Sequence, residues 1–416
     1  MTKKSFAYGW ILQIQVALMF FFFAALTNDI FNIMPAVLVE MYGWDYAATI
    51  NVATIAGYAG VIGTFVASML IQKKGNRFSI VLSLLGAGIF TLFFGRSPSF
   101  AVYLVLCCFV FFFAFQFGSV LTGSLTDYWF PRKKGFVLGI SSAGMCLSTC
   151  LTPPIFNGLM GKIGIANTLT CFGIACIVLG IVSIFWVKDT PEEIGLAPDG
   201  IDAGIEEIEK NRTEMEEYQS PWTVSRLLRT PVVWTQAISY GLVFMITIGV
   251  LGQWIPRMMQ LGTTLEAAMM QLSVASAIGI VGSFIWGILD TKIGTKKTSL
   301  IFIVWYTVAV VIITFGIHSP VATWIGIAMV GSSVGGIGNL GPSMIGTIWG
   351  RWDYAAASKV VQTITNVLRV SAFAVVAFGL NVFGSITGAY YILIGCGVLS
   401  FILMLVTKDK MIGREG

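Results

Sequence analysis

Twelve apolar runs, each long enough to cross a lipid bilayer, dictate what this 416-residue chain can become. They lie at about 10–38, 46–71, 78–95, 99–126, 135–160, 165–187, 232–257, 265–289, 298–317, 320–348, 356–382 and 386–407. Some 20 apolar residues span the hydrocarbon core as a helix, and a bilayer admits only helices and closed barrels. The runs do not alternate apolar with polar residues as barrel strands do, so they are helices. Only 11% of the residues are charged, against about a quarter in ordinary soluble domains. The expectation is an all-α membrane protein whose main partner is the lipid bilayer and which binds no nucleic acid. The first run lacks a small-residue cleavage site and counts as a helix rather than a signal peptide.

The one long polar stretch divides the runs six and six. It predicts an N-terminal six-helix bundle at 1–187, a cytoplasmic linker at 188–230 and a C-terminal six-helix bundle at 231–416. Basic residues near span ends are retained in the cytoplasm. With both termini inside, 21 of the 25 Lys and Arg residues fall on the inner side, and Arg96, Lys162 and Arg257 fall outside. Eleven of the 20 acids crowd into the linker. It reads as a solvated loop with a short helix near Gly204–Tyr218, then a short amphipathic helix with Ser220 as N-cap and Pro221 at its first position. IQKKGNRFS (71–79) recurs as DTKIGTKKTS (290–299) at an offset of 219, so the halves are related repeats.

Arg369 lies at the middle of the last-but-one run, SKVVQTITNVLRVSAFAVVAF (358–378). A guanidinium at membrane depth faces a wet cavity and marks a functional site. The other deep ionisable residue is Asp29, in FFFAALTNDIFNIMP (21–35). They lie roughly 21 and 13 Å from the outer ends of their helices at 1.5 Å per residue, a gap that two side chains can bridge. Arg369 presents fixed donors suited to bidentate capture of a carboxylate, and Asp29 is the candidate for proton coupling. The bland alternative is a buried pair that only fixes packing. Gln362, Asn366 and Arg369 share one helix face. Asn28, Gln116, Tyr240, Gln253, Trp254 and Asn339 complete the candidate substrate contacts. The phenylalanines at 20–23 and 109–117 read as lipid-facing or core; lining the cavity, they would favour a bulkier acid. One His and seven scattered Cys make no metal cluster, and no phosphate-binding glycine loop or catalytic triad occurs, so neither cofactor nor enzyme activity is expected.

Six plus six spans, a long central loop and basic glycine turns after spans 2 and 8 resemble the major facilitator superfamily. In that family the turn reads roughly G-x-x-x-D-R-x-G-R-R; here Gln72 stands for the acid and Ser68 for the leading glycine, while the second copy keeps Asp290 one place early. TDYWFPRKKGFVLGISSAG (126–144) and DTPEEIGLAPDG (189–200) are similar to the oxalate/formate antiporter and monocarboxylate transporter branch. The resemblance implies two pseudo-symmetric bundles rocking about a midplane site. It also implies an inner-face clasp, here from Lys73, Arg77, Asp127, Asp290 and Asp353, and a substrate-binding cation in helix 11, matched by Arg369. That branch also carries an arginine in helix 8, where residues 265–289 contain no Lys or Arg. A single carboxylate therefore suits the site better than a dicarboxylate.

The sequence thus predicts a monomeric, multi-pass inner-membrane carrier of a small organic monocarboxylate, by proton symport or anion exchange. The alternatives are a multidrug or cation/proton antiporter using Asp29, a carrier of a bulkier bile or aromatic acid, and a membrane sensor that binds without transporting.

Overall fold

The computed structural model describes residues 2–31, 33–201 and 203–414; the side chains of Lys3 and Lys4, counted above for orientation, lie outside the described set. Among the described residues there are helices and no strands. Among the described residues nine continuous helices are long and apolar enough to cross a membrane. Three contain a glycine in a backbone conformation that splits it in two: Gly75 (φ 81°, ψ 175°), Gly164 (78°, 163°) and Gly350 (67°, 177°). Only glycine occupies that region without strain. Two of the corners are also crowded: a Cβ would lie 2.2 Å from Asp189 Oδ2 at Gly75 and 2.6 Å from Arg414 O at Gly350, while Gly164 has nothing within 4 Å.

Dividing those three gives twelve spans, the number expected. They comprise span 1 (2–42), span 2 (46–74), span 3 (76–94), span 4 (100–129), span 5 (134–163), span 6 (165–186), span 7 (Pro231–Gln260), span 8 (Leu265–Ile293), span 9 (Thr295–Phe315), span 10 (320–349), span 11 (351–383) and span 12 (Ile386–Val406).

Three spans are irregular at mid-depth. Span 1 runs helically to Ala24, widens into a π-helical turn at Ala25–Asp29, turns, and resumes at Met34–Tyr42 with Pro35 in its first turn. Span 4 widens the same way at Gln116–Leu121. Span 11 is helical to Val370, turns at Ser371 and continues as Ala372–Phe383. Single π turns shift side-chain register locally and concentrate at functional sites.

Apolar side chains form two clusters. One is built from spans 1–6, with Ala355 and Val370 of span 11 reaching into it; the other extends from Leu227 to Met404. The halves meet along two seams toward the linker end, here termed the linker face. In the first, Gly139 of span 5 packs so closely on span 8 that a Cβ would lie 2.6 Å from Ser283 O and 2.8 Å from Gly287 Cα, the small-residue packing that lets membrane helices approach. In the second, Lys359 Nζ of span 11 donates to Gln72 Oε1 of span 2 at 2.7 Å.

The linker is strapped to this face rather than solvated throughout. After 3₁₀ turns at Pro191–Ile194 and Pro198–Gly200 it forms helices at Ile205–Glu217 and Val224–Leu228. Asp189 accepts from Arg77 N at 2.5 Å, and Asp199 accepts from Arg132 N and Lys133 N at 3.0 and 3.1 Å. Glu192 pairs with Arg351 of span 11 at 2.8 Å, both side chains buried. Thr223, not Ser220, caps the second helix; the Ser220 hydroxyl instead donates to Asp353 at 2.5 Å.

Candidate functional site

Arg369 is 6% exposed and lies two residues before Ser371, the turn that interrupts span 11. Its guanidinium carbon sits 4.8 Å from the ring centre of Phe23, 5.1 Å from Phe115 and 5.3 Å from Phe244. Spans 1, 4 and 7 therefore frame the cation with aromatic faces, whose negative quadrupoles attract it. Among the described residues no acid forms an ion pair with Arg369 and no acceptor takes its hydrogen bonds. A buried ionised group without an acidic partner is costly, and here the three ring faces are what the described residues set against it.

Arg369 is the floor of a cavity of about 460 Å³ that runs toward the face opposite the linker. Thr27, Asn28, Phe31, Phe115 and Gln253 contribute to its walls, and Arg369 is the one charged residue among its described lining. On the linker side the space narrows to about 20 Å³ among Phe23, Phe244, Gln362, Asn366 and Arg369. The structure is thus open on one face and sealed on the other, with Arg369 at the partition.

The structure brings together Arg369, Asn28, Gln253, Gln362 and Asn366 from the set expected on sequence, and places the rest elsewhere. Asn366 faces across the seam, donating to Thr64 at 3.1 Å and Ser119 at 2.8 Å, and so holds span 11 to spans 2 and 4. The Tyr240 hydroxyl is 2.6 Å from Ser299 Oγ inside the C-terminal half, and Trp254 Nε1 donates to Gln271 at 3.1 Å. Neither lines the cavity. Gln116 and Asn339 are fully buried, outside the cavity lining, with both amide heteroatoms unpartnered. Asp29 does not meet Arg369. Its carboxylate turns to span 5, accepting from Ser148 at 2.6 Å and Thr149 at 3.0 Å. A bridgeable gap in depth between two helices says nothing of azimuth, and residues 28 and 29 of the π turn face opposite sides.

The expected inner-face clasp is also composed differently. Asp127 is 3.5 Å from Lys134, Arg77 uses its backbone N–H on Asp189, and Lys73 lines a linker-face cavity. Asp290 abuts Gly135, while Asp353 accepts from Tyr218, Ser220 and Arg414 N. The buried pair joining the linker to the C-terminal half is Glu192–Arg351, outside that set. Arg257 was expected at the outer surface; it is 2% exposed, 4.0 Å from the Tyr390 ring centre. Phe244, Ser148 and Thr149 are residues that sequence reasoning passed over, and Phe23 and Phe115, from runs read first as lipid-facing or core, frame the cation. For the phenylalanines, the available signal was an aromatic run at the depth of the lone arginine. Among the described residues no three His, Cys, Asp or Glu are placed to hold a metal, and all seven Cys are unpaired.

The profile of the Major Facilitator Superfamily matches residues 16–284. Among curated proteins the chain is 23% identical over 199 residues to a "Probable hexose phosphate transport protein" of Chlamydia pneumoniae, covering 47% of this chain and 43% of that protein. It is also 23% identical over 238 residues to the "Membrane sensor protein UhpC" of Salmonella typhimurium, covering 54% and 52%. The chain thus spans about half the length of the curated relatives it matches. Among solved structures it resembles the proton:xylose symporter XylE bound to 6-bromo-6-deoxy-D-glucose, with TM-score 0.78, 10% identity and coverage of 99% and 98%. It resembles the human organic anion transporter MFSD10 with TM-score 0.71, 13% identity and coverage of 94% and 99%. At these identities the structural likeness shows the fold alone.

Proposed function

The chain belongs to the Major Facilitator Superfamily, and from that premise we propose that it carries a small organic monocarboxylate, by proton symport or anion exchange. It is a multi-pass membrane protein and a secondary transporter. Its site in this reading is the Arg369 cavity. The observation that carries the reading is a buried guanidinium without an acidic mate, framed by three phenylalanines on the floor of an accessible cavity. A carboxylate entering from the open face meets two parallel donors while its apolar remainder lies among the rings.

One relative named above is called a probable hexose phosphate transport protein and the other a membrane sensor protein; a phosphate monoester brings about −1.5 to −2 charges at pH 7. One cation in the lining matches a single carboxylate better. A cation/proton antiporter would need an acid facing the cargo, and Asp29 faces span 5 instead. A bulkier aromatic acid is favoured by one observation, the phenylalanine walls of a 460 Å³ space. The distribution of basic residues supports an inner-membrane location with both termini and the linker cytoplasmic. The cavity described here is then the outward-facing one.

Counterflow in proteoliposomes loaded with lactate, benzoate or glucose 6-phosphate tests the proposal. Lactate exchange is expected in the wild type, lost in Arg369→Ala and partly kept in Arg369→Lys. Benzoate exchange alone would select the bulkier acid, and glucose 6-phosphate exchange alone would overturn the monocarboxylate reading. Binding without counterflow would make the protein a sensor.

A further inference from the structure

Arg369 has a counterpart of opposite sign. Asp29 is 3% exposed, at the end of the π turn in span 1, and no described cation pairs with it. Its neighbours are hydroxyls. Ser148 and Thr149 of span 5 bond to its two carboxylate oxygens at 2.6 and 3.0 Å, and Thr152 Oγ1 lies 3.0 Å from Ser148 Oγ. Five oxygens from two spans thus gather around one buried negative charge.

We propose that this cluster binds a sodium ion that accompanies the anion. Hard monovalent and divalent cations are held by carboxylate, hydroxyl and carbonyl oxygens. Each hydroxyl that now donates to the carboxylate retains lone pairs for a metal. Thr149 already has a second acceptor, Met145 O at 3.4 Å, toward which its proton turns when the ion takes its oxygen. Asp29 also terminates the first helical half of span 1, and a helix C-terminus carries partial negative charge that favours a cation. No histidine, thiolate or second acid is required.

The two unpaired charges account for each other through their ligands: a carboxylate neutralises Arg369 and sodium neutralises Asp29. They are mechanically joined as well. Thr27 and Asn28 line the anion cavity, and the next residue, on the same π turn, holds the hydroxyl cluster. Filling either site fixes the conformation of that turn for the other. This goes beyond the transport reading, giving sodium the coupling place that proton symport would give to a proton, and it rests on that reading only for the coupling.

Thermal unfolding of the purified full chain, without substrate, in equimolar sodium, potassium and choline chloride tests it, because a ligand bound only by the folded form raises stability. A saturable rise specific to sodium is expected, absent in Asp29→Asn. The Ser148→Ala/Thr149→Val double variant, which keeps the carboxylate, should need at least about tenfold more sodium for half the effect. Arg369→Ala should retain the full sodium response while losing counterflow, so either reading can fail alone. Equal melting in the three salts overturns the proposal, as does a sodium effect that survives Asp29→Asn or leaves the double variant unchanged. If Asp29→Asn does not fold, the double variant decides.

Discussion

Replacing Glu192 by glutamine should tip the protein toward opening on the linker face. Glu192 lies just past the end of span 6, and its partner Arg351 begins span 11, so their 2.8 Å pair ties the linker to the opposite half. The side chains are 1% and 6% exposed, and Arg351 has the Tyr128 ring 5.9 Å from its guanidinium carbon. Removing one partner of a buried pair strands the other charge, at a cost of about 3–5 kcal/mol. The tie exists in the conformer closed on this face, so the cost falls on that conformer. At 1.36 kcal/mol per tenfold, the balance moves by about 10²- to 5 × 10³-fold toward opening. Cysteines placed singly at Ala356, buried on the linker face, and at Gln253, in the cavity wall, report it by maleimide labelling. Labelling should rise at 356 and fall at 253. The Glu192→Gln/Arg351→Met double variant should shift less than Glu192→Gln alone, because no orphan charge remains. Unchanged labelling at both positions in folded Glu192→Gln protein would refute the reasoning.

Two further outcomes concern the linker and the corners. Burial raises the Asp199 carboxyl above its ordinary range, with the N–H groups of Arg132 and Lys133 pulling it partly back. A raised folded-state value means stability that is full below the unfolded pKa and is lost as pH rises through the folded one. Asp199 also sits at φ 59°, where Asn is better tolerated. Asp199→Asn keeps only one acceptor for the two N–H groups, so the gain from removing the charge is offset at pH 7, but a pH series of melting curves should lose that slope. Gly350→Ala should destabilise by more than about 1–3 kcal/mol, since φ is 67° and the new Cβ would lie 2.6 Å from Arg414 O. Denaturation of Gly350→Ala beside Gly395→Ala, where nothing lies within 4 Å, checks it.

Which parts of this were legible in sequence follows from what hydropathy measures. Twelve spans are readable because bilayer thickness imposes a minimum run of apolar residues, and two of the corners because glycine sits among basic residues at Gly75 and Gly294. Arg369 stands out because a guanidinium in an apolar run has few excuses. Azimuth is not readable in the same way. A π turn displaces register by one residue without changing composition, so Asn28 and Asp29 look like neighbours in one site and serve different ones. Tyr240 and Trp254 are polar enough to line water, yet each found a partner inside its own half. Arg257 lies near a span end, where a surface position was the simple reading, but an aromatic ring receives it. Ser220 yielded its capping role because Asp353, 133 residues away, was a stronger attraction.

The turn at Ser371 leaves Arg369 in the final turn of a helix, where backbone carbonyls point past the helix end with a partial negative charge of about half a unit. The cargo is therefore offered a cation already partly damped. A carrier gains nothing from a grip it cannot release: each cycle ends with departure, and a muted charge shortens the stay without removing the selection for anions. Straightening span 11 there would strengthen the hold and slow the turnover.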